Sequence, residues 1–154
     1  MSSPDWNRTV LGFAAMGRPE IIGAEGSAPV QRRRLLVIDD EVRLVRSLQL
    51  LLRYAHDVTC ATRAEEALAE VVAGVRFDLI LCDLQMPGMS GMELAARLVE
   101  VDPGCRPRLV FLTGGAVTAE ARAFLQSTEH KVLTKPVPVE QLLAEIEAVE
   151  PRID

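Results

Sequence analysis

The chain has 154 residues, enough for one ordinary domain with a hydrophobic core and a modest appendage but not for a second full domain. Hydrophobic residues make up 49%, charged residues 25% and aromatic residues 4%, which indicates a soluble globular protein with an aliphatic core and argues against disorder throughout. The net charge of −5 argues against a surface for nucleic acid, because binding phosphate backbones needs concentrated Lys and Arg.

Cysteine usage and hydropathy bear on where the protein resides. Cys60, Cys82 and Cys105 are far apart and odd in number, which favours reduced thiols over a disulfide framework or a zinc site. The apolar stretch from Val10 to Met16 is too short to cross a bilayer, and its flanks are not those of a signal peptide. We therefore expect a cytoplasmic protein with no membrane partner.

The amino-terminal part of the sequence differs from the rest. Residues 1–34 show no sustained period, contain scattered Gly, Pro and Ser, and end in the basic run Arg32-Arg33-Arg34. This pattern predicts a leader or linker, with the basic run as solvated charges ahead of a strand. Residues 35–150 are then the folded domain, and residues 151–154 a short tail.

From Leu35 onward, short apolar runs alternate with segments of helical periodicity. The predicted strands are 35–38, 57–61, 77–82, 109–112 and 131–134. Apolar residues at helical spacing mark helices within 45–52, 64–71, 94–101, 119–125 and 142–149. This alternation predicts an α/β domain with one doubly wound, five-stranded parallel sheet, and right-handed crossovers favour the strand order 2-1-3-4-5.

Polar side chains follow four of the predicted strands. Asp39 and Asp40 follow the first strand, Asp83 the third, Thr113 the fourth and Lys135 the fifth. In an open parallel sheet, ligands bind beyond the carboxyl ends of the strands, near the point where the strand order reverses. We therefore expect these five side chains to converge on one rim of the sheet.

These residue types indicate metal and phosphoryl chemistry. Three carboxylates at one rim repel each other unless they take up protons or hold a cation, and Mg²⁺ prefers oxygen ligands such as those of Asp39, Asp40 and Asp83. A carboxylate such as that of Asp83 can also attack phosphorus, while Lys135 and Thr113 contact other phosphoryl oxygens. Helix capping and strand ends also use Asp, Thr and Lys, but those roles need neither a third acid on another strand nor a Lys-Pro pair.

Four motifs, each at the end of a predicted strand, carry a family resemblance. They are Val37-Ile38-Asp39-Asp40-Glu41, Leu81-Cys82-Asp83-Leu84-Gln85-Met86-Pro87-Gly88, Phe111-Leu112-Thr113-Gly114 and Thr134-Lys135-Pro136. With these motifs, residues 35 to about 150 resemble the response-regulator receiver family of two-component systems. The resemblance implies the flavodoxin-like (βα)₅ receiver fold.

The same resemblance implies roles for individual residues. Asp83 looks like the phosphoacceptor, Thr113 like the switch hydroxyl and Lys135 like the lysine that contacts the phosphoryl group. Mg²⁺ would be bound by Asp39, Asp40, Asp83 and the backbone carbonyl of Gln85. A cis peptide would precede Pro136.

The resemblance also implies a pathway. The phosphodonor would be a histidine kinase or a histidine phosphotransfer protein, and signalling would run through contacts with an unknown downstream protein, with a phosphorylation-dependent homodimer left open. Such a protein is not a conventional enzyme, although it catalyses its own aspartyl phosphorylation and dephosphorylation. Thr113-Gly114-Gly115 with Ala121, Phe124 and Leu125 is similar to receivers at the carboxyl ends of hybrid histidine kinases.

One position departs from the family pattern. Many receivers have an aromatic residue three positions before the lysine of the fifth strand, but this sequence has Val132 there. Valine has no ring to swing and few rotamers, so any conformational response has to use the loop and helix that follow Thr113.

Three other classes compete with this interpretation. A haloacid-dehalogenase-like phosphatase usually has an acid two residues after the nucleophile, where this sequence has Gln85. A flavodoxin-like binding module needs a phosphate loop after the first strand, and Asp39 and Asp40 would repel a flavin phosphate. A pseudo-receiver that only binds proteins remains the main alternative, although the full set of rim residues counts against it.

Overall fold

The computed structural model describes residues 31–115 and 118–153. The predicted leader lies outside the described residues as far as residue 30. The strands and helices are β1 (Arg34–Ile38), α1 (Val42–Leu52), β2 (Asp57–Ala61), α2 (Ala64–Val72), β3 (Leu79–Asp83), α3 (Gly91–Val101), β4 (Leu109–Thr113), α4 (Ala119–Ser127), β5 (Lys131–Thr134) and α5 (Val139–Ala148). Within the described part of the chain, a 3₁₀ segment (Pro103–Arg108) joins α3 to β4.

The five strands form one parallel sheet in the order β2-β1-β3-β4-β5, which confirms the predicted doubly wound α/β fold. The register brings the strand ends into line: Ile38 of β1 pairs with Cys82 of β3, and Thr113 of β4 pairs with Thr134 of β5. The residues that directly follow β1 and those that end β3 and β4 therefore share one edge of the sheet.

Alternation along the strands divides the core into two layers. On β1, Leu36 and Ile38 face one side of the sheet and Leu35 and Val37 the other, as expected for a period of two residues. The first layer packs under α2, α3 and α4, and the second under α1 and α5. β3 and β4 are buried along their whole length, which explains why their sequences are nearly continuous apolar runs.

The start of β3 and the segment before β4 differ from the sequence-based expectation. β3 begins at Leu79 rather than at residue 77, and the preceding Asp78 uses its carboxylate to accept the main-chain N–H groups of Arg34 and Arg152, each at 2.6 Å. The 3₁₀ segment was not predicted, because its two prolines and one glycine leave no hydrophobic period to recognise.

The first and the last of the described residues lie at the same end of the domain, beyond the amino ends of the strands. The guanidinium of Arg152 binds the buried carboxylate of Asp102 through two hydrogen bonds of 2.5 and 2.9 Å. Arg33 donates to the carbonyl of Val149 at 3.1 Å, and Arg32 pairs with Asp57 at 2.6 Å. These contacts lie at the pole opposite the strand ends that carry the predicted site.

Among the described residues, no helix has both the length and the apolar character needed to span a bilayer.

Candidate functional site

The acidic pair lies directly after β1. Asp39 is fully buried whereas Asp40 is exposed, because consecutive residues at the end of a strand point in opposite directions. The Oδ1 atom of Asp39 accepts the main-chain N–H of Glu41 at 2.9 Å. This hydrogen bond orients the Asp39 carboxylate toward the rim just before α1 begins at Val42.

Asp83 is the last residue of β3, the strand next to β1 in the sheet, and its side chain is almost buried. Carboxylate oxygens of Asp39, Asp40 and Asp83 all lie within 4.8 Å of one another. This group of three acids on two neighbouring strands is the donor set that a hard divalent cation such as Mg²⁺ prefers.

Lys135 reaches the same acids from the end of β5. Its Nζ atom donates to Oδ2 of Asp39 at 2.6 Å and lies 3.4 Å from Oδ1 of Asp83. The main-chain N–H of Lys135 donates to the carbonyl of Thr113 at 2.8 Å, and the peptide bond between Lys135 and Pro136 is cis. The ammonium group thus bridges two of the three carboxylates.

Thr113 ends β4 on the same rim and is buried. Its hydroxyl oxygen accepts the N–H of Gly115 at 3.1 Å. Gly115 has a φ of 119°, a conformation that glycine adopts without strain and that other residues avoid. The tight turn after β4 therefore orients the threonine side chain.

The electrostatics of the rim reflect an excess of negative charge. Burial, the charge of Asp39 and a hydrogen bond with Asp40 together raise the pKa of Asp83 to about 6, against the opposing effect of Lys135. The pKa of Lys135 is also raised: burial alone would lower it, but the hydrogen bond with Asp39 and the charge of Asp83 outweigh burial. A bound cation would relieve this repulsion and keep Asp83 ionised.

The remaining predicted positions surround this centre. Gln85 is half-buried in the loop that follows β3, two residues beyond Asp83, and its role as a metal ligand stays a prediction. Val132 lies on β5 as the register partner of Phe111 and packs against the first core layer.

Gly91, which begins α3, lies against the site, although no sequence motif pointed to it. A Cβ atom at this position would lie 2.0 Å from the carbonyl oxygen of Asp83, so only glycine lets α3 start this close to β3. Ser90 marks the helix start because its hydroxyl accepts the N–H of Glu93 at 3.2 Å. The serine signal was readable in the sequence, but the close approach depends on how α3 packs.

The fold and the site define a flavodoxin-like α/β domain with an acidic rim and a bridging lysine. A family model described as "Response regulator receiver domain" matches residues 35–147. The chain therefore belongs to the response regulator receiver family and is a receiver domain of two-component signalling. Members of this family are signalling modules that generally bind Mg²⁺ at an acidic pocket and partner with histidine kinases or phosphotransfer proteins.

Individual relatives agree with the family match. The chain is 38% identical over 119 residues to the sensory/regulatory protein RpfC of Xanthomonas campestris, a match covering 75% of this chain and 16% of that protein. It is 36% identical over 114 residues to the response regulator receiver protein Anae109_2439 of Anaeromyxobacter sp., covering 72% and 46%. A CheY-like receiver domain protein from Methanospirillum hungatei matches with a TM-score of 0.66 and 28% identity, covering 76% of this chain and 92% of that one.

The curated relatives are longer than the matched region. The uncharacterized transcriptional regulatory protein YkoG of Bacillus subtilis, which is 31% identical over 120 residues, is covered over only 51% of its length. What these proteins share with this chain is therefore the receiver domain, and the activities of their other parts do not carry over.

Proposed function

We propose that this receiver domain takes a phosphoryl group from a phosphohistidine onto Asp83 and signals the change through protein contacts. The observation that carries the proposal is the position of Lys135, whose ammonium group lies 2.6 Å from Asp39 and 3.4 Å from Asp83. The rim combines an acceptor carboxylate, two further acids and a positively charged side chain. Phosphoryl transfer to an aspartate requires this set of groups.

The transfer exchanges one bond to phosphorus for another. A carboxylate oxygen of Asp83 attacks the phosphorus, a P–O bond forms, and the P–N bond to the donor histidine breaks. The bonding electrons leave with the imidazole nitrogen, and a proton from solvent restores the neutral ring. Lys135 and the hydroxyl of Thr113 stabilise charge on the phosphoryl oxygens that do not react.

Mg²⁺ fits the donor set of Asp39, Asp40 and Asp83, with the carbonyl of Gln85 as a further ligand. When bound, the ion neutralises charge on the incoming phosphoryl group. The residues themselves position the acceptor: the N–H of Glu41 orients Asp39, and the approach of α3 at Gly91 supports the main chain of Asp83.

The phosphodonor under this proposal is a histidine kinase or a histidine phosphotransfer protein in the cytoplasm. The acyl phosphate on Asp83 would be hydrolysed at the same rim, so the domain promotes its own phosphorylation and dephosphorylation without turning over a separate substrate. Added negative charge at the rim would reposition Thr113 and the segment leading to α4, and a changed surface would bind a downstream protein or a second phosphorylated copy.

Intact-protein mass spectrometry tests the acceptor chemistry. We expect a labile gain of one phosphoryl group after incubation with Mg²⁺ and acetyl phosphate, lost in Asp83→Asn and without Mg²⁺. Asp57→Asn is the matched control, because Asp57 lies at the start of β2 beside Arg32, far from the rim, and should leave the gain intact.

Two outcomes would count against the proposal. If neither acetyl phosphate nor a phosphorylated histidine kinase adds a phosphoryl group to the wild-type chain, the domain is a pseudo-receiver that acts through binding alone. If the chain instead hydrolyses many equivalents of a phosphate ester without holding the phosphoryl group, it is a phosphatase.

A further inference from the structure

A cluster of three rings joins β4, α4 and the start of β5. The ring of Phe111 on β4 meets the ring of Phe124 on α4 edge to face, with centroids 5.2 Å apart and planes at 87°. It meets the imidazole of His130, directly before β5, at 5.4 Å and 82°. Edge-to-face geometry is the favoured arrangement of aromatic pairs, so these contacts are specific and not only apolar.

The cluster lies beside the position where this chain has no aromatic residue on β5. Phe111 is the register partner of Val132, so the two side chains are neighbours on the same face of the sheet. Both belong to the core layer under α4. A ring is therefore present at this place in the molecule, but it is attached to β4 and not to β5.

The position of Phe111 also relates the cluster to the rim. Phe111 and Thr113 are two residues apart on β4, so both side chains point toward the layer of α4. Thr113 ends the strand at the rim, and Phe111 lies one step deeper in the core, where it is fully buried. Phe111 is thus the side chain next to Thr113 on this face of β4.

α4 has little of its surface buried. Among its nine residues, Ala121 is the one that is fully buried, and Phe124 is its largest side chain packed against the core. Phe124 is partly buried and lines a surface pocket that is open to solvent, together with Ser127, Thr128 and His130. The ring of Phe124 therefore borders open space, whereas Phe111 is fully buried.

His130 completes the cluster on the side of β5. Its main-chain N–H donates to the hydroxyl oxygen of Thr128 at 3.2 Å. The fully buried ring of Phe111 contacts the rings of both His130 and Phe124, so a shift of Phe111 changes its contact with α4.

We infer that Phe111, Phe124 and His130 are positioning residues that transmit a change at Thr113 to α4, in place of a ring at position 132. The inference rests on the proposed function, because phosphorylation of Asp83 is the event that changes the surroundings of Thr113. It assigns to this chain a route from rim to surface that runs through β4.

Amide chemical shifts with and without Mg²⁺ and acetyl phosphate test the route, with the phosphorylated fraction measured by mass. In the wild type we expect shifts at Thr113 and along α4. Phe124→Leu keeps an apolar side chain but removes the ring, and should reduce the α4 shifts to less than half while the Thr113 shift remains. Leu125→Ala, on the same helix and outside the cluster, is the control and should retain the α4 shifts.

A pair of variants at His130 tests whether a ring is required at this position. His130→Phe keeps the ring and should behave as the wild type does, whereas His130→Asn removes the ring and should behave as Phe124→Leu does. Full α4 shifts in Phe124→Leu, or equal losses in Leu125→Ala, would overturn the inference. Absence of a phosphoryl gain in the wild type would instead refute the proposed function, and the inference with it.

Discussion

Replacing Lys135 with methionine is expected to separate metal binding from phosphorylation. The Lys135 ammonium lies 2.6 Å from Asp39 and 3.4 Å from Asp83, so it competes with a metal ion for the same carboxylates. Removing it leaves three acids without a fixed counter-charge. We expect Lys135→Met to bind Mg²⁺ more tightly but to accept a phosphoryl group more slowly.

The size of the first effect follows from Coulomb's law. With metal–oxygen distances of about 2.1 Å, the ammonium would lie about 5 Å from a bound ion. A divalent and a univalent charge at this distance repel by about 1.7 kcal/mol even at the dielectric constant of water. The dissociation constant for Mg²⁺ should therefore fall by about 20-fold. The phosphorylation rate should fall by about 100-fold, as when one charged or hydrogen-bonding group is removed from a developing oxyanion.

Calorimetric titration with Mg²⁺ at pH 8 measures the binding, and mass spectrometry with acetyl phosphate measures the rate. At this pH the Asp83 carboxyl, whose pKa burial and Asp39 raise to about 6, is ionised in the wild type. Lys131→Met is the matched control, because it removes the same charge from β5 but at a residue paired with Glu145 at 2.7 Å, at the other end of the strand. Unchanged or weaker Mg²⁺ binding in Lys135→Met would refute the reasoning.

Three further predictions concern stability. Gly91→Ala, with its Cβ 2.0 Å from the Asp83 carbonyl, should lower the unfolding free energy by about 3 kcal/mol in urea, whereas Gly114→Ala, with nothing within 4 Å, should be nearly neutral. Ser90→Ala should cost about 1 kcal/mol through loss of the α3 cap, and an unchanged urea midpoint would contradict that role. Arg152→Met should cost about 2 kcal/mol at neutral pH by leaving Asp102 without its main partner. Because hydrogen bonding with Arg152 lowers the pKa of Asp102, this contribution is complete above the ordinary carboxyl pKa and is lost as the pH falls through the lower folded value. Urea midpoints at several pH values should therefore converge in acid, and a constant difference would contradict the assignment.

Much of the fold and of the candidate site could be predicted because the signals are local. The buried run before Asp39 and the one before Asp83 each mark a strand and its end within a few residues of sequence. Once the strands are parallel and the crossovers right-handed, the ends that carry these acids, Thr113 and Lys135 must share one edge. The strand topology alone therefore brings the site residues together, and no knowledge of side-chain packing is needed.

Other features have no local signal. Nothing in the sequence distinguishes Asp39, which is fully buried, from the exposed Asp40, or shows that Lys135 lies closer to Asp39 than to Asp83. Asp102, directly before the 3₁₀ segment, pairs with Arg152, which follows α5, although 50 positions separate the two residues. Such contacts depend on how elements pack, and periodicity does not encode that.

The fold class, the strand order and the residue types at the rim follow from the sequence alone, because strand ends and side-chain periods are properties of short segments. Which groups touch depends instead on the packing of helices on the sheet, as in the close start of α3 at Gly91, the ring of Phe111 beside Val132, and the bridge that Lys135 forms between two acids. These contacts join segments far apart in the chain, so no short stretch of sequence specifies them.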